Sequence, residues 1–379
     1  MRPIILDGST GAMLSRMGMP AGVCVEKWAA DHPDTVIRLQ QAYIAAGSEI
    51  VYAPTFGANE VTLARHSLEG EAAELNRRLA GITRKAAEGR AKVFGDLSPT
   101  GEMLEPMGGM TRERLTRVYA AQADALEPFV DGFVCETFMS LAELKCAYNG
   151  VRRVSGKPVF ATISVDGSGR TMCGDALLPA LISMQAAGVD AFGVNCVSEL
   201  DRLEPVIAEA VSFAAVPFIF KPNAGLPETV DGKTVYGMTP GEFFKFAERM
   251  LAVGCSVFGG CCGTSPEFIE QLAKLREREV PCVTHHDASE IAASCRAVLC
   301  QEDLGIRYCD TVESPEAVTL SDESELAQIF ENEFFAAEPL LLRSRDAGLL
   351  ELAVKGCAGR PMVETDAPMQ GALAGAVRA

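Results

Sequence analysis

Positive charge is what this sequence has least of: 34 Lys and Arg stand against 51 Asp and Glu, for a formal net charge of −17. That balance argues against nucleic acid or an anionic membrane surface as a partner and for an acidic, soluble exterior. Long apolar runs are missing too. No stretch approaches the roughly 20 residues that span a bilayer, and the opening MRPIILDGSTG has too short an apolar run for an export signal. No CxxC pair occurs among the 13 cysteines, which speaks against a structural zinc clip. An odd number of thiols scattered through a long chain fits a reducing cytoplasm better than a disulfide framework. The four histidines offer little chemistry. His32 and His66 fall in helical or loop stretches, and His285 and His286 read as solvated residues of a linker.

What is present is a repeated unit of a short β-rich run, a turn and a longer amphipathic stretch. The strand-like runs are PIILDG (3–8), IVYAPTF (50–56), AKVFGDL (91–97), GFVCETF (132–138), VFATISV (159–165), AFGVNCV (191–197), PFIFKPN (217–223) and CSVFGGC (255–261). Helical patterns such as ERLTRVYAAQADALEPF and LPALISMQAAGVDA lie between them. MTPGEFFKFAERM and TSPEFIEQLAKL each start with Thr or Ser before Pro, an N-cap followed by Pro at the first helical position. Eight strand–helix units predict an α/β fold, a (β/α)8 TIM barrel over residues 1–280. Residues 281–379 differ in texture, with 17 Asp and Glu against 7 Lys and Arg. AVTL, PLLLRS and RPMVET alternate there with ESELAQIFENEFF and GLLELAVKG, which predicts a small acidic α/β appendage after a linker near VTHHDASE.

The chemically distinctive residues sit at predicted strand ends: Asp7, Thr55, Glu136, Cys196, Asn223, and the pair Cys261 and Cys262 in VFGGCCGT. A closed barrel would gather these ends at one mouth, whereas an open sheet would spread them along an edge. Three thiolates from two adjacent strand ends can hold one tetrahedral Zn²⁺ and leave its fourth position open, as catalytic zinc requires. Two other readings stand beside it: buried small hydrophobes, and a redox pair of vicinal cysteines. Cys24, Cys135, Cys146, Cys173, Cys255, Cys282, Cys295, Cys300, Cys309 and Cys357 read as buried hydrophobes. Asp7 suits a turn cap as well as a functional group. Glu136, amid FVCETFM, would be costly in an apolar barrel without a partner such as a substrate ammonium.

The motifs LDGSTGAML, APTFGAN, FGDLSPTGE, VCETF, GVNC, PNAG and FGGCCGT follow one another in the order of the homocysteine S-methyltransferase family, which residues 1–277 resemble. The likeness is greatest to the N-terminal homocysteine-binding module of cobalamin-dependent methionine synthases. It implies Zn²⁺ on Cys196, Cys261 and Cys262, with Asn223 beside the metal. It further implies that Asp7 and Glu136 hold the amino group of homocysteine and that the backbone around Gly8, Gly11 and Ala12 receives its carboxylate. Asn195 and Thr55 would line the site. The expected reaction is methyl transfer to the homocysteine thiol, giving methionine.

Departures from the pattern accompany the match. Pro54 precedes Thr55 and Phe56 where Asn is usual, Lys221 precedes PNAG where an acidic residue is common, and Ala12 replaces Thr. They leave open a different thiol acceptor, or a non-catalytic zinc- or thiol-binding partner subunit. No His has Asp two positions before it, so the Asp-x-His-x-x-Gly cobalamin motif is absent. The methyl donor is therefore expected to be methylcobalamin on a separate corrinoid protein, or a small onium compound.

Overall fold

The computed structural model describes residues 1–230, 233–299 and 316–378. Eight parallel strands form its centre: β1 (Ile4–Ile5), β2 (Ile50–Tyr52), β3 (Lys92–Leu97), β4 (Gly132–Phe138), β5 (Val159–Ile163), β6 (Ala191–Asn195), β7 (Phe218–Lys221), and, after a hairpin of β8 (Pro227–Val230) and β9 (Lys233–Tyr236), β10 (Val257–Phe258). Their order is β1-β10-β7-β6-β5-β4-β3-β2, every ladder parallel. The strands are buried almost throughout, as a sheet covered by helices outside and side chains inside demands. Leu6, Tyr52, Phe94, Val134, Phe160, Ala191, Ile219 and Val257, one from each strand or its end, form a single cluster inside the barrel.

β1 and β2 stand at opposite ends of that order, and one backbone bond together with two carboxylates stitches the seam between them. The Glu49 N–H donates to the Ile5 carbonyl (2.7 Å) and the Ile5 N–H to Glu49 Oε2 (3.1 Å). Higher up, the Tyr52 N–H donates to Asp7 Oδ2 (2.8 Å). Carboxylates thus stand in for ladder carbonyls, and the eight strands close as a TIM-like barrel.

The strands are shorter than their apolar runs because their C-terminal ends leave the ladder to build the mouth. Pro54 has no N–H to offer β2, and the chain turns there with the Thr55 N–H on the Ala53 carbonyl (2.7 Å). Thr239 caps its helix in a full capping box with Glu242, as expected. Ser265 begins the next helix without capping it, since its hydroxyl turns to Glu267. The hairpin β8–β9 has no counterpart in the periodicity reading.

Beyond the barrel, β11 (Ala292–Ala293) and β12 (Val298–Leu299) pair antiparallel. β13 (Glu316–Thr319), β14 (Leu340–Arg343), β15 (Met362–Glu364) and β16 (Val377–Arg378) form a parallel sheet in sequential order. Helices 324–335 and 347–356 connect its first three strands. Two expectations fail here: Cys173 and Cys282 are exposed rather than buried, because both sit on loops outside the helical layer. Cys24, Cys135, Cys146, Cys255 and Cys357 are buried and Cys295 is half-buried, while Cys300 and Cys309 lie outside the described residues. His286 is exposed yet stacks on Phe213, with ring centroids 4.8 Å apart. Among the described residues no helix is long and apolar enough to cross a membrane.

Candidate metal centre and acceptor pocket

Cys196 follows β6 directly, and Cys261 and Cys262 stand three and four residues beyond β10; the two strands are not adjacent as expected but flank β7, and their loops meet over its C-terminal end. All three Sγ atoms lie within 4.8 Å of one another. Tetrahedral zinc at the usual Zn–S length of about 2.3 Å sets its sulfurs roughly 3.8 Å apart, so three thiols this close can share one ion with small side-chain shifts. Its softness points the same way.

The surrounding residues hold these thiols in place. Cys196 has φ 55° and Thr137, at the end of β4, has φ 65°, both left-handed positions that non-glycine residues seldom occupy. Asn195 secures them. Its Oδ1 accepts from the Thr137 N–H (2.8 Å) and the Thr162 hydroxyl (2.8 Å), while its Nδ2 donates to Thr137 Oγ1 (2.7 Å) and toward Cys261 Sγ (3.9 Å). The Cys196 N–H donates to the Lys221 carbonyl (3.2 Å). The Thr264 hydroxyl donates to the Cys261 carbonyl (2.7 Å) and accepts from the Ser9 N–H (3.1 Å), which ties the loop after β1 to the cysteine loop. Gly263, at φ +82°, lets the chain pass under the Tyr236 ring, where a Cβ would collide. Hydrogen bonds among the thiols split their acidities. Donation from Cys196 and Cys261 pulls Cys262 well below the usual thiol range, whereas its bonds to Cys261 and Cys262 push Cys196 up.

Beside the thiols lies a buried charged group. Asp7, Glu136 and Lys221 are 2%, 6% and 3% exposed. Lys221 Nζ stands 3.4 Å from Glu136 Oε2 and 4.0 Å from Asp7 Oδ1, and 5.0 Å from the centre of the Tyr52 ring. Burial raises the Asp7 carboxyl to about 7, opposed by Lys221 and the Tyr52 N–H. Burial likewise raises Glu136, again against Lys221. Asp96, a third buried carboxyl, is pushed far up by burial and by Glu136. Burial pulls Lys221 down, but Glu136, Cys261 and Asp7 outweigh it and hold the ammonium charged.

The fold gives several of the expected site residues partners of their own. Thr55 is fully buried, and its hydroxyl donates to the Asp96 carbonyl (2.9 Å) and accepts from the Asp96 N–H (3.1 Å). It splices β2 to β3. Asn223 is occupied at both ends, with Nδ2 on Ser198 Oγ (2.9 Å) and Oδ1 accepting the Cys262 N–H (3.0 Å). It shapes the thiol loop from beside the three cysteines. Gly8 is buried against Tyr43 and Thr264, and Gly11 and Ala12 open the helix Gly11–Arg16, half-buried. Asp96, Thr137, Thr264 and Tyr236 join the site unforeseen, and Lys221, noted only as a departure from the family pattern, turns out to stand between Asp7 and Glu136. For Lys221 the signal was present: a lone charge within the apolar run FIFK.

Comparison with known proteins bears on the same segment. The homocysteine S-methyltransferase family profile matches residues 4–276. The chain is 29% identical over 264 residues to the methionine synthase of Mycobacterium leprae (strain TN), covering 66% of this chain and 22% of that protein. It is 28% identical over 304 residues to the methionine synthase of Mycobacterium tuberculosis (strain ATCC 25618 / H37Rv), covering 74% and 25%. The chain thus spans about a quarter of the length of these relatives. In fold it resembles the metallated form of the homocysteine methyltransferase MmuM from Escherichia coli, with a TM-score of 0.61 at 19% identity over 72% of this chain and 96% of that one. With residues 4–276, nearly the whole barrel, matched and the thiol cluster at the barrel mouth, the chain belongs to the homocysteine S-methyltransferase family.

Proposed function

We propose that the barrel, residues 1–280, transfers a methyl group to the thiol of homocysteine, giving methionine, with Zn²⁺ held by Cys196, Cys261 and Cys262. The observation behind this reading is the convergence of three thiols within 4.8 Å at the barrel mouth, beside a buried dicarboxylate. Zinc, when bound, supplies the Lewis acidity that lowers an acceptor thiol's pKa from its ordinary value of about 8.5. The chain's own residues do the rest. Asn195 aims Cys261, Asn223 fixes the Cys262 backbone, and the left-handed turn at Cys196 presents the third sulfur. Asp7 and Glu136 face the acceptor's amino group, and the backbone around Gly8, Gly11 and Ala12 faces its carboxylate. In the transfer the acceptor sulfur forms the new S–C bond with a lone pair, and the donor keeps the electrons of the broken bond.

Methylcobalamin on a separate corrinoid protein is the donor we favour, since the curated relatives are methionine synthases. Residues 281–379 form the appendage that such a partner would meet. The thirteen cysteines suit a cytoplasmic setting.

The test supplies zinc-loaded protein with homocysteine and, separately, methylcobalamin, S-methylmethionine or betaine, and measures methionine. Wild type should hold one zinc per chain and turn over with at least one donor. Cys261→Ser should lose most of its zinc and at least about 100-fold in rate, because a neutral hydroxyl replaces a thiolate ligand. Retention of full zinc and rate in that variant would refute the assignment.

A further inference from the structure

The buried charge group next to the thiols is already half neutralised from within. Two carboxylates, Asp7 and Glu136, confront one ammonium, Lys221 Nζ, at 4.0 and 3.4 Å. The two oxygens nearest it, Asp7 Oδ1 and Glu136 Oε2, make no hydrogen bond among the described residues. The lysine therefore sits where a cation between the carboxylates would sit, yet saturates neither of them. A purely structural buried ion pair is expected to close such bonds, because unsatisfied buried oxygens are costly. The remaining contact of Lys221 is the face of Tyr52, which holds an ammonium without consuming an acceptor. Its carbonyl, in turn, receives the N–H of Cys196, so this lysine stands one hydrogen bond from the thiol cluster.

On the reading of the site as a homocysteine pocket, we infer that Lys221 competes with the acceptor's own ammonium for Asp7 and Glu136, and so sets acceptor specificity. An incoming α-amino group meets two carboxylates that already share one positive charge. It either displaces the lysine, losing one ion pair for each it makes, or sits beside it against like-charge repulsion. In both cases the amino group adds little to affinity. A thiol acid without an amino group leaves the Lys221 contacts as they are and keeps its sulfur and carboxylate interactions. The pocket thus accepts mercapto-carboxylates lacking an α-ammonium about as well as it accepts homocysteine.

The experiment is calorimetric binding of homocysteine and of 4-mercaptobutanoate, which is homocysteine without its amino group, to zinc-loaded protein. In wild type the two dissociation constants should agree within about threefold, and in Lys221→Met homocysteine should gain at least about tenfold over 4-mercaptobutanoate. The wild-type comparison stands alone if the variant folds poorly. A wild-type preference for homocysteine of tenfold or more, an unchanged ratio in folded Lys221→Met, or no binding of either thiol would each overturn the inference. The methyl-transfer reading fails differently: by absent zinc, or by bound acceptors that never become methylated.

Discussion

Asn195 illustrates how one side chain can serve three neighbours. It contacts Thr137, Thr162 and Cys261, and it is fully buried. Replacing it with Ala would leave the Thr137 N–H and the Thr162 hydroxyl without an acceptor, at roughly 1–3 kcal/mol for each unsatisfied buried group. Asn195→Ala should therefore unfold in less denaturant by that amount. It should also release zinc faster than wild type to a chelator, because nothing then opposes relaxation of the left-handed turn at Thr137. Equal zinc release by the two proteins would mean that Asn195 serves stability alone.

At the scale of elements, the helix Leu141–Val154 starts on a buried carboxylate. Asp175 Oδ2 accepts the Leu141 N–H at 2.6 Å, and burial, opposed by that bond and by Arg296, raises its carboxyl to about 6. The folded protein thus binds this proton more tightly than the unfolded chain does. The associated stability is full below about pH 4 and is lost as pH rises through about 6, on the order of 3 kcal/mol. Asp175→Asn keeps an acceptor for Leu141 without the charge. Its melting temperature should match wild type near pH 4 and exceed it at pH 7.5; a variant less stable than wild type at pH 7.5 would show that the ionised form is the favoured one. Elements of this kind were partly legible in the sequence. The eight apolar runs located every barrel strand, because a strand buried on both faces must be apolar along its length, and AVTL, PLLLRS and RPMVET located three of the four appendage strands. The hairpin β8–β9 was missed although Asp231-Gly232 lies between its strands, since its exposed residues carry no apolar period. Cys196, Cys261, Cys262, Asp7 and Glu136 stood out by type and place. The partnership of Lys221 with Asp7 and Glu136 joins three strands far apart in sequence, and spacing along a chain says nothing about such meetings.

At the scale of the whole molecule, the appendage is locked to the barrel through a buried ion pair. Arg112, from the helix Arg112–Leu126, reaches Glu333 Oε2 (3.1 Å), the Gly356 carbonyl (2.9 Å) and the Phe330 carbonyl (3.3 Å). Glu333 also accepts the N–H groups of Ala358 (2.9 Å) and Gly359 (2.8 Å). Arg112→Met would strand a buried carboxylate, a loss of roughly 3–5 kcal/mol, and should make the appendage the first part cut in limited proteolysis. A digestion pattern like that of wild type would place the anchorage elsewhere. The barrel itself is a split ring. Seven of its joints are backbone ladders, whereas the joint between β1 and β2 is fastened by Glu49 and by one oxygen of Asp7. The clasp of the ring thus stands beside the buried charges, and a cation drawn to the unpaired oxygen of Asp7 would pull on the joint that closes the barrel.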